Sequence, residues 1–225
     1  MPRPFTAEII GPAGAGKSTL VSLLGKQDVT IRTGLSLWGL PFPLLATGAL
    51  SSLTDVFSLC SQHRFSLEDL KLVIQINALR QLVRRESEKG YRLLLLDEGE
   101  VFGLARLRAY GAGCLSSDSV KWMSHLLNRV APTLDAVIWL DAPDAVLAQR
   151  IRERAKPHRT KNLQEEEICE HVARYRSAFE QIMAELTQRS HVKVISFRTD
   201  SQPLEEIANR IRATAENGLR ANVNS

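Results

Sequence analysis

The stretch GPAGAGKS, Gly11 to Ser18, combines glycines, a lysine and a serine at a spacing that suits phosphate binding. It follows the β-prone apolar run FTAEII and precedes KSTLVSLLG, whose apolar residues recur at helical spacing. Glycines allow several main-chain N–H groups to converge on phosphate oxygens at the N-terminus of a helix. The stretch also fits the pattern G-x-x-x-x-G-K-[ST] at every position. We therefore predict a loop that binds the phosphates of a nucleoside triphosphate.

The loop pattern assigns separate tasks to its side chains. Lys17 would reach the β and γ phosphates, and Ser18 would coordinate Mg²⁺. In sites of this type an acid at the end of a neighbouring strand holds the metal, and LLLLDEG supplies Asp97 at that place. The predicted nucleotide contacts in the loop are Gly11, Pro12, Ala13, Gly14, Ala15, Gly16, Lys17, Ser18 and Thr19.

Glu98 directly follows the predicted metal ligand, and three roles stay open for it. A glutamate here can orient water for ATP hydrolysis, or it can take a proton from an acceptor hydroxyl during phosphoryl transfer. It can equally be a structural or solvent-facing acid. The two chemical roles distinguish an ATPase from a kinase.

Basic residues concentrate in a second region, LDAPDAVLAQRIRERAKPHRTK, at 140–161. Together with the phosphate loop, this region resembles the thymidylate kinase-like branch of the P-loop nucleoside monophosphate kinases. In that family a strand ending in Leu-Asp leads to a proline-initiated helix and then to an arginine-bearing lid over the triphosphate. The resemblance implies a lid over 155–163. It also implies that Arg150 lies along the adenine and that Arg154 and Arg159 reach the transferring phosphates.

The same resemblance extends to two shorter segments. INALRQL is similar to the family segment whose arginine holds the acceptor's phosphate, which implies that Arg80 binds the acceptor. The alternative is a surface arginine that packs its apolar stem and keeps its charged end in solvent. The chain departs from the thymidylate members here, because Leu79 stands in place of the usual acid and Asp97-Glu98 in place of an Asp-Arg pair. TDSQP follows the last predicted strand, where the family borders the adenine, so Asp200 and Ser201 are further candidate nucleotide contacts.

Apolar periodicity predicts alternating strands and helices, and hence a single α/β domain over 1–225. We expect a three-layer P-loop fold with a mostly parallel sheet of about five strands and helices on both faces. One predicted helix ends at Gly25, and another runs from Ser66 to Lys89 after a capping-box pattern. The remaining predictions are strands at 29–32, 91–97, 135–141 and 192–197, helices at 116–130, 143–155, 165–189 and 203–216, and a flexible tail at 217–225.

An uncharged segment, TGLSLWGLPFPLLATGALSSLT, occupies residues 33–54. It belongs to the region 33–65, which the family resemblance does not cover and which should recognise the acceptor. Three interpretations stay open: an apolar acceptor pocket or lid, a surface that contacts a membrane or protein partner, and a transmembrane span interrupted by prolines and glycines. Trp38 and Phe42 are predicted to fill the core under a long connection, or else to pack on a flat acceptor.

Composition limits the partners and the compartment. The formal net charge is +4, and much of the excess lies in the basic region, which favours an anionic small ligand over nucleic acid. Cys60, Cys114 and Cys169 lack the paired spacing of zinc or redox sites, so we predict free thiols in a reducing compartment, the cytoplasm. The histidines show no metal-ligand spacing.

The features together predict phosphoryl transfer from ATP, with Mg²⁺, to a small acceptor that the sequence does not identify. The alternative is a P-loop ATPase or switch in which Glu98 orients water and residues 33–54 contact a partner or membrane. A kinase fold that binds nucleotide without turnover is the third interpretation.

Overall fold

The computed structural model describes residues 3–53, 66–111, 117–153 and 164–223, and for 117–121 and 222–223 it describes the backbone alone. The predicted lid at 155–163, with Arg154 and Arg159, lies outside the described residues. The second part of the region left uncovered by the family resemblance, 54–65, lies outside them as well.

Five parallel strands form one sheet in the order β2-β3-β1-β4-β5, with β1 in the centre. The predicted α/β fold with a parallel sheet of five strands is therefore confirmed. The described elements in chain order are β1 (Phe5–Ile10), α1 (Lys17–Gln27), β2 (Ile31–Leu35), α2 (Phe42–Ser51), α3 (Leu67–Ser87), β3 (Leu93–Asp97), α4 (Glu100–Tyr110), α5 (Ser117–Val130), β4 (Ala136–Asp141), α6 (Asp144–Glu153), α7 (Glu165–Arg189), β5 (Lys193–Arg198) and α8 (Leu204–Val223).

Helices cover both faces of the sheet, because successive side chains in each strand point to opposite sides. Ile10, Leu94 and Leu96 pack with α3, α4, α5 and most of α7. Ile9 and Leu95 point the other way and pack with α1, α6, α8 and the start of α7. Strands buried on both faces read as continuous apolar runs in the sequence, which explains the composition of β1 and β3.

Element boundaries differ from the prediction near β2. Helix α1 continues past Gly25, because this glycine lies where a Cβ atom would be 2.8 Å from the hydroxyl oxygen of Thr33. Gly25 therefore permits close packing of α1 on β2 and does not end the helix. Strand β2 begins at Ile31, two residues later than predicted. The capping box at the start of α3 is confirmed, since Ser66 and Asp69 each accept a backbone N–H from the other at 3.1 Å.

Helix α2 forms from the middle of the uncharged segment and packs against α3. Gly48 allows this close approach, because a Cβ atom there would lie 2.8 Å from the main chain of Ile74. The prediction that Phe42 fills the core is wrong: its side chain is 81% exposed at the start of α2. Within the described residues, no helix is long and apolar enough to cross a membrane.

The polar C-terminal segment is helical where we predicted a flexible tail. Helix α8 continues through 217 to Val223, and its inner face packs on the start of β1. A Cβ atom added to Gly218 would lie 2.5 Å from the ring carbons of Phe5. In the sequence, Gly218 suggests the end of a helix. In the structure, the lack of a side chain at Gly218 allows the helix to pack against Phe5.

Replacing Gly218 with alanine tests this packing, because the sign of the change in the free energy of unfolding depends on it. In an unpacked helix the change should stabilise by about 1 kcal/mol, because alanine is the better helix former. Against the Phe5 ring it should instead lower the free energy of unfolding by about 1–3 kcal/mol. Urea denaturation of the variant, with Asn217→Ala at the exposed neighbouring position as control, measures the difference; a more stable Gly218→Ala protein would mean that the segment does not pack.

Candidate functional site

The phosphate loop lies between the carboxyl end of β1 and the N-terminus of α1, as the sequence predicts. Gly11 approaches β4 so closely that a Cβ atom would overlap the carbonyl oxygen of Leu140, which excludes any larger residue. Gly16 caps α1 with a left-handed backbone, φ 87°. The ammonium group of Lys17 donates to the carbonyl oxygens of Gly11 at 2.8 Å and Pro12 at 3.0 Å. The lysine therefore lies back over its own loop.

A cavity of about 790 Å³ opens over this loop at the carboxyl edge of the sheet. Ligands bind at this edge in open α/β sheets, because the loops that follow the strands converge there. Of the nucleotide contacts predicted within the phosphate loop, Ala15 does not line the cavity, since its side chain is buried in the core. The others do line it: Gly11, Pro12, Ala13, Gly14, Gly16, Lys17, Ser18 and Thr19.

Arg150 closes one end of the cavity, on the side where the family resemblance places the adenine. Its guanidinium group donates to the hydroxyl and carbonyl oxygens of Thr199, both at 2.9 Å, and lies 3.4 Å from the carbonyl oxygen of Gly14. These contacts fix α6 against the loop after β5. Asp200 and Ser201 do not line the cavity, and Asp200 pairs with Arg198 at 3.1 Å. The lining residues of this loop are instead Thr199, Gln202 and Pro203, which the sequence did not single out.

Aromatic side chains form a further part of the cavity lining, which we call the aromatic wall. The rings of Phe102 on α4 and Tyr175 on α7 stack with centroids 6.0 Å apart and an interplanar angle of 12°. His171 meets Tyr175 edge to face at 5.1 Å and also lines the cavity. Stacked and edge-to-face aromatic pairs of this kind are stabilising. No local sequence pattern reveals this wall, because its members come from two helices far apart in the chain.

Glu98 and Trp38 line the same cavity as the aromatic wall and the phosphate loop. The indole N–H of Trp38 donates to a carboxylate oxygen of Glu98 at 2.5 Å. Glu98 has φ 58°, the one non-glycine residue with positive φ among those described. Such a backbone costs roughly 1–3 kcal/mol and concentrates at functional sites. Trp38 is 42% exposed and contributes to the cavity, so the prediction that it fills the core is wrong.

The donor set near the loop fits Mg²⁺. Ser18 lines the cavity at the start of α1, and Asp97 ends β3 where its Cα pairs with that of Ile9 in β1. Hydroxyl and carboxylate oxygens suit this ion, which needs only one or two protein ligands when phosphates supply the rest. In the part of the chain that the structure describes, no three His, Cys, Asp or Glu residues form a metal cage. One hydroxyl and one carboxylate fit the small protein share of a Mg²⁺ coordination shell that bound phosphates would complete.

Arg80, the predicted acceptor ligand, is not among the residues that line the cavity. Its guanidinium group lies 3.2 Å from the carboxylate of Glu100 and donates to Asn77 at 3.1 Å. Glu100 is fully buried, and this burial raises the pKa of its carboxyl group even though Arg80 opposes the shift. The position of Arg80 favours a structural role over the predicted contact with the acceptor.

Glu8 in β1 joins the central strand to the helix that carries the aromatic wall. Its two carboxylate oxygens accept the backbone N–H groups of Val101 and Phe102, each at 2.8 Å. Gly99 permits the approach, because a Cβ atom there would lie 2.8 Å from the Glu8 carboxylate. Burial raises the pKa of Glu8 to about 8, although these backbone donors act to lower it. The signal that could have revealed Glu8 is a single acid within the apolar run FTAEII.

Replacing Arg80 with methionine distinguishes the structural role from the predicted one. Removing one partner of a buried ion pair leaves Glu100 uncompensated, so we expect the free energy of unfolding to fall by about 3 kcal/mol. Arg84→Met, at an exposed position of the same helix, should change it by less than about 0.5 kcal/mol. Chemical denaturation measures both. If Arg80→Met kept its stability but lost acceptor affinity, the result would support the prediction that Arg80 contacts the acceptor.

Glu8 should make stability depend on pH. Between the ordinary pKa of 4.5 and about 8, the folded protein holds a proton that the unfolded chain has lost. The free energy of unfolding should therefore fall as pH rises through this window, by at most about 1.4 kcal/mol per pH unit from this group. Glu8→Gln should remove that part of the slope in denaturation experiments across the window. Equal slopes for the two proteins would contradict a raised pKa at Glu8.

Neither a protein-family model nor a curated protein matches this chain. Solved structures do match. A deoxyadenosine kinase from M. mycoides with dCMP and dCDP bound has a TM-score of 0.57 and 14% identity, and the match covers 95% of this chain and 100% of the kinase. Thymidylate kinase from Candida albicans has a TM-score of 0.58 and 14% identity, over 97% and 93% of the two chains. The M. mycoides enzyme with dCTP bound has a TM-score of 0.50 and 16% identity, over 93% and 100%.

Identities this low show the fold. The similarity covers nearly the whole chain in two of these comparisons. The chain therefore has the P-loop fold of these kinases, as the phosphate loop and the basic region implied.

Proposed function

We propose that this protein transfers the γ-phosphoryl group of ATP, with Mg²⁺, to a hydroxyl group of a small acceptor. The observation that carries the proposal is the single cavity that joins the phosphate loop to Glu98 and the aromatic wall. A kinase requires a donor site and an acceptor site that share one water-excluding space, because transfer to water competes with transfer to the acceptor. The kinase fold of the chain supports the same conclusion.

The donor half of the cavity would bind ATP. Main-chain N–H groups of the loop would hold the phosphates, with Lys17 at the β and γ phosphates and Arg150 beside the adenine. Ser18 and Asp97 would hold Mg²⁺, which supplies charge neutralisation on the phosphates when bound. Arg154 and Arg159, on the predicted lid, would complete the positive surround of the transferring group.

The acceptor half would bind a flat ring and a hydroxyl group. Phe102, Tyr175 and Trp38 offer ring faces, while Glu98 and Arg106 place one negative and one positive charge in the lining. Aromatic faces with a few converging polar groups are typical of small-molecule sites. Two similar structures are of a deoxyadenosine kinase and a thymidylate kinase, which supports an acceptor of the nucleoside or nucleotide class.

Glu98 would act as the general base. The acceptor oxygen would attack the γ phosphorus, the bond from that phosphorus to the bridging oxygen of ADP would break, and the hydroxyl proton would pass to the Glu98 carboxylate. Its carboxylate lies in the lining close to the acceptor wall, on a backbone whose positive φ directs the side chain. The same carboxylate could orient water, so an ATPase or switch is the outcome to distinguish by experiment.

Steady-state ADP release from Mg·ATP, with and without nucleosides, nucleoside monophosphates and sugars, tests the proposal. We expect release to be stimulated by one acceptor class. Lys17→Ala should lower kcat by at least about 100-fold, because a charge that stabilises the transferring group is lost. Glu98→Gln should lower transfer by about 100-fold or more, as for loss of a general base.

Asp200→Asn, in the loop after β5 but away from the cavity lining, is the matched control and should keep the wild-type rate. Release that no acceptor stimulates, and that Glu98→Gln abolishes, would identify an ATPase instead. Undiminished turnover by Lys17→Ala would contradict both functions, since each depends on the phosphate loop.

A further inference from the structure

Both the backbone and the side chain of Glu98 are held by one short segment, residues 36–38, which follows β2. The carbonyl oxygen of Glu98 accepts the N–H of Leu37 at 3.1 Å, and its carboxylate oxygen Oε2 accepts the indole N–H of Trp38 at 2.5 Å. Two contacts from adjacent residues therefore fix a side chain whose backbone has a positive φ. Such a conformation persists when its surroundings hold it in place.

The Trp38 indole is itself held, so its N–H is a fixed donor. The guanidinium carbon of Arg106 lies over the indole ring, 5.4 Å from its centroid, which is a cation–π contact. The neighbouring Leu37 is fully buried, and its carbonyl oxygen accepts the side-chain N–H of Gln75 on α3 at 3.2 Å. The main-chain N–H of Trp38 also donates to the hydroxyl of Ser36 at 3.2 Å. These contacts tie the segment to α3 and α4.

We propose that Trp38 is a positioning residue, which orients the Glu98 carboxylate for proton transfer from the acceptor. The proposal rests on the phosphoryl transfer proposed above. The indole N–H engages Oε2, so the other oxygen, Oε1, is the one that would take the proton. An indole N–H donates only and carries no charge, so it fixes the direction of the carboxylate without forming an ion pair. A base must lie within hydrogen-bond reach of the proton it takes, which makes this orientation matter for the rate.

The hydrogen bond itself can be tested without turnover. The chain contains three tryptophans, so the spectrum of the ¹⁵N-labelled protein should show three indole N–H resonances, and Trp38→Phe identifies one of them. A strong bond to a carboxylate should place the Trp38 resonance downfield, and Glu98→Ala should move it upfield. The resonance should not respond to Phe42→Leu, a change at an exposed position at the start of α2. A Trp38 resonance that ignores Glu98→Ala would overturn the proposal whether or not the protein is a kinase.

Kinetics then test whether the bond matters for transfer. Replacing the Trp38 indole with benzothiophene, by incorporation of benzothienylalanine at this position, removes the N–H and keeps the ring. We expect this change and Trp38→Phe each to lower kcat by about tenfold, as for a misplaced catalytic group. KM for ATP and the melting temperature should stay at their wild-type values, because the donor half of the cavity is intact. Phe42→Leu should leave kcat unchanged.

A double-mutant comparison shows which residue Trp38 acts through. In a Glu98→Ala background, Trp38→Phe should have no further effect on kcat, since its target is gone. An equal tenfold loss in that background would overturn the proposal, and so would a loss of kcat that only accompanies a lower melting temperature. The wild-type enzyme in the same assay separates the two hypotheses: absence of acceptor-stimulated ADP release refutes the kinase, while wild-type kcat in both Trp38 variants refutes only the positioning role.

Discussion

A buried carboxyl group in the central strand links the phosphate loop to the helix that carries Phe102. Glu8 lies three residues before the phosphate loop, and its oxygens accept the first N–H groups of α4. A helix N-terminus carries a partial positive charge and has N–H groups without partners in the helix. If α4 moved away from β1, both the buried carboxyl group and these N–H groups would lose their partners, which costs more than an ordinary hydrogen bond. The strand that places the loop therefore also places Phe102.

The two sides of the cavity are built by different means. The phosphate-loop side depends on the main chain, because Gly11 lets the loop approach β4 closely. The aromatic side depends on side chains from separate elements, and Trp38 contacts both a cation and an anion there. Arg106 contacts the electron-rich face of the indole, and Glu98 contacts the electron-poor N–H edge. The neutral ring thus holds a cation and an anion in one small lining without pairing them directly.

Local signals explain what the sequence could predict. The phosphate loop, the capping box of α3 and the apolar run of β3 each depend on residues a few positions apart. The sequence pattern therefore predicts each of these structures at the right place in the chain. Arg80 shows where such reasoning stops. Its helix was predicted correctly, but its partner Glu100 is twenty residues away and fully buried. Only the packing of α3 on α4 decides that the arginine satisfies a buried acid and does not reach the cavity.

The uncharged segment had the least predictable structure, because its composition has two separate physical causes. Residues 33–38 lack charge since Leu35 and Leu37 are fully buried and Trp38 serves the cavity as a neutral donor. The inner face of helix α2 lacks charge for another reason: Gly48 brings this face onto the main chain of α3, where a charged side chain could not keep its water. Phe42 and Leu50 lie on the outer face and are exposed, so this cause does not extend to them. Neither cause requires a membrane or an acceptor in contact with the whole segment. One uncharged run can thus contain two structural elements with different surroundings. The sequence does not show the boundary between them, which lies between β2 and α2.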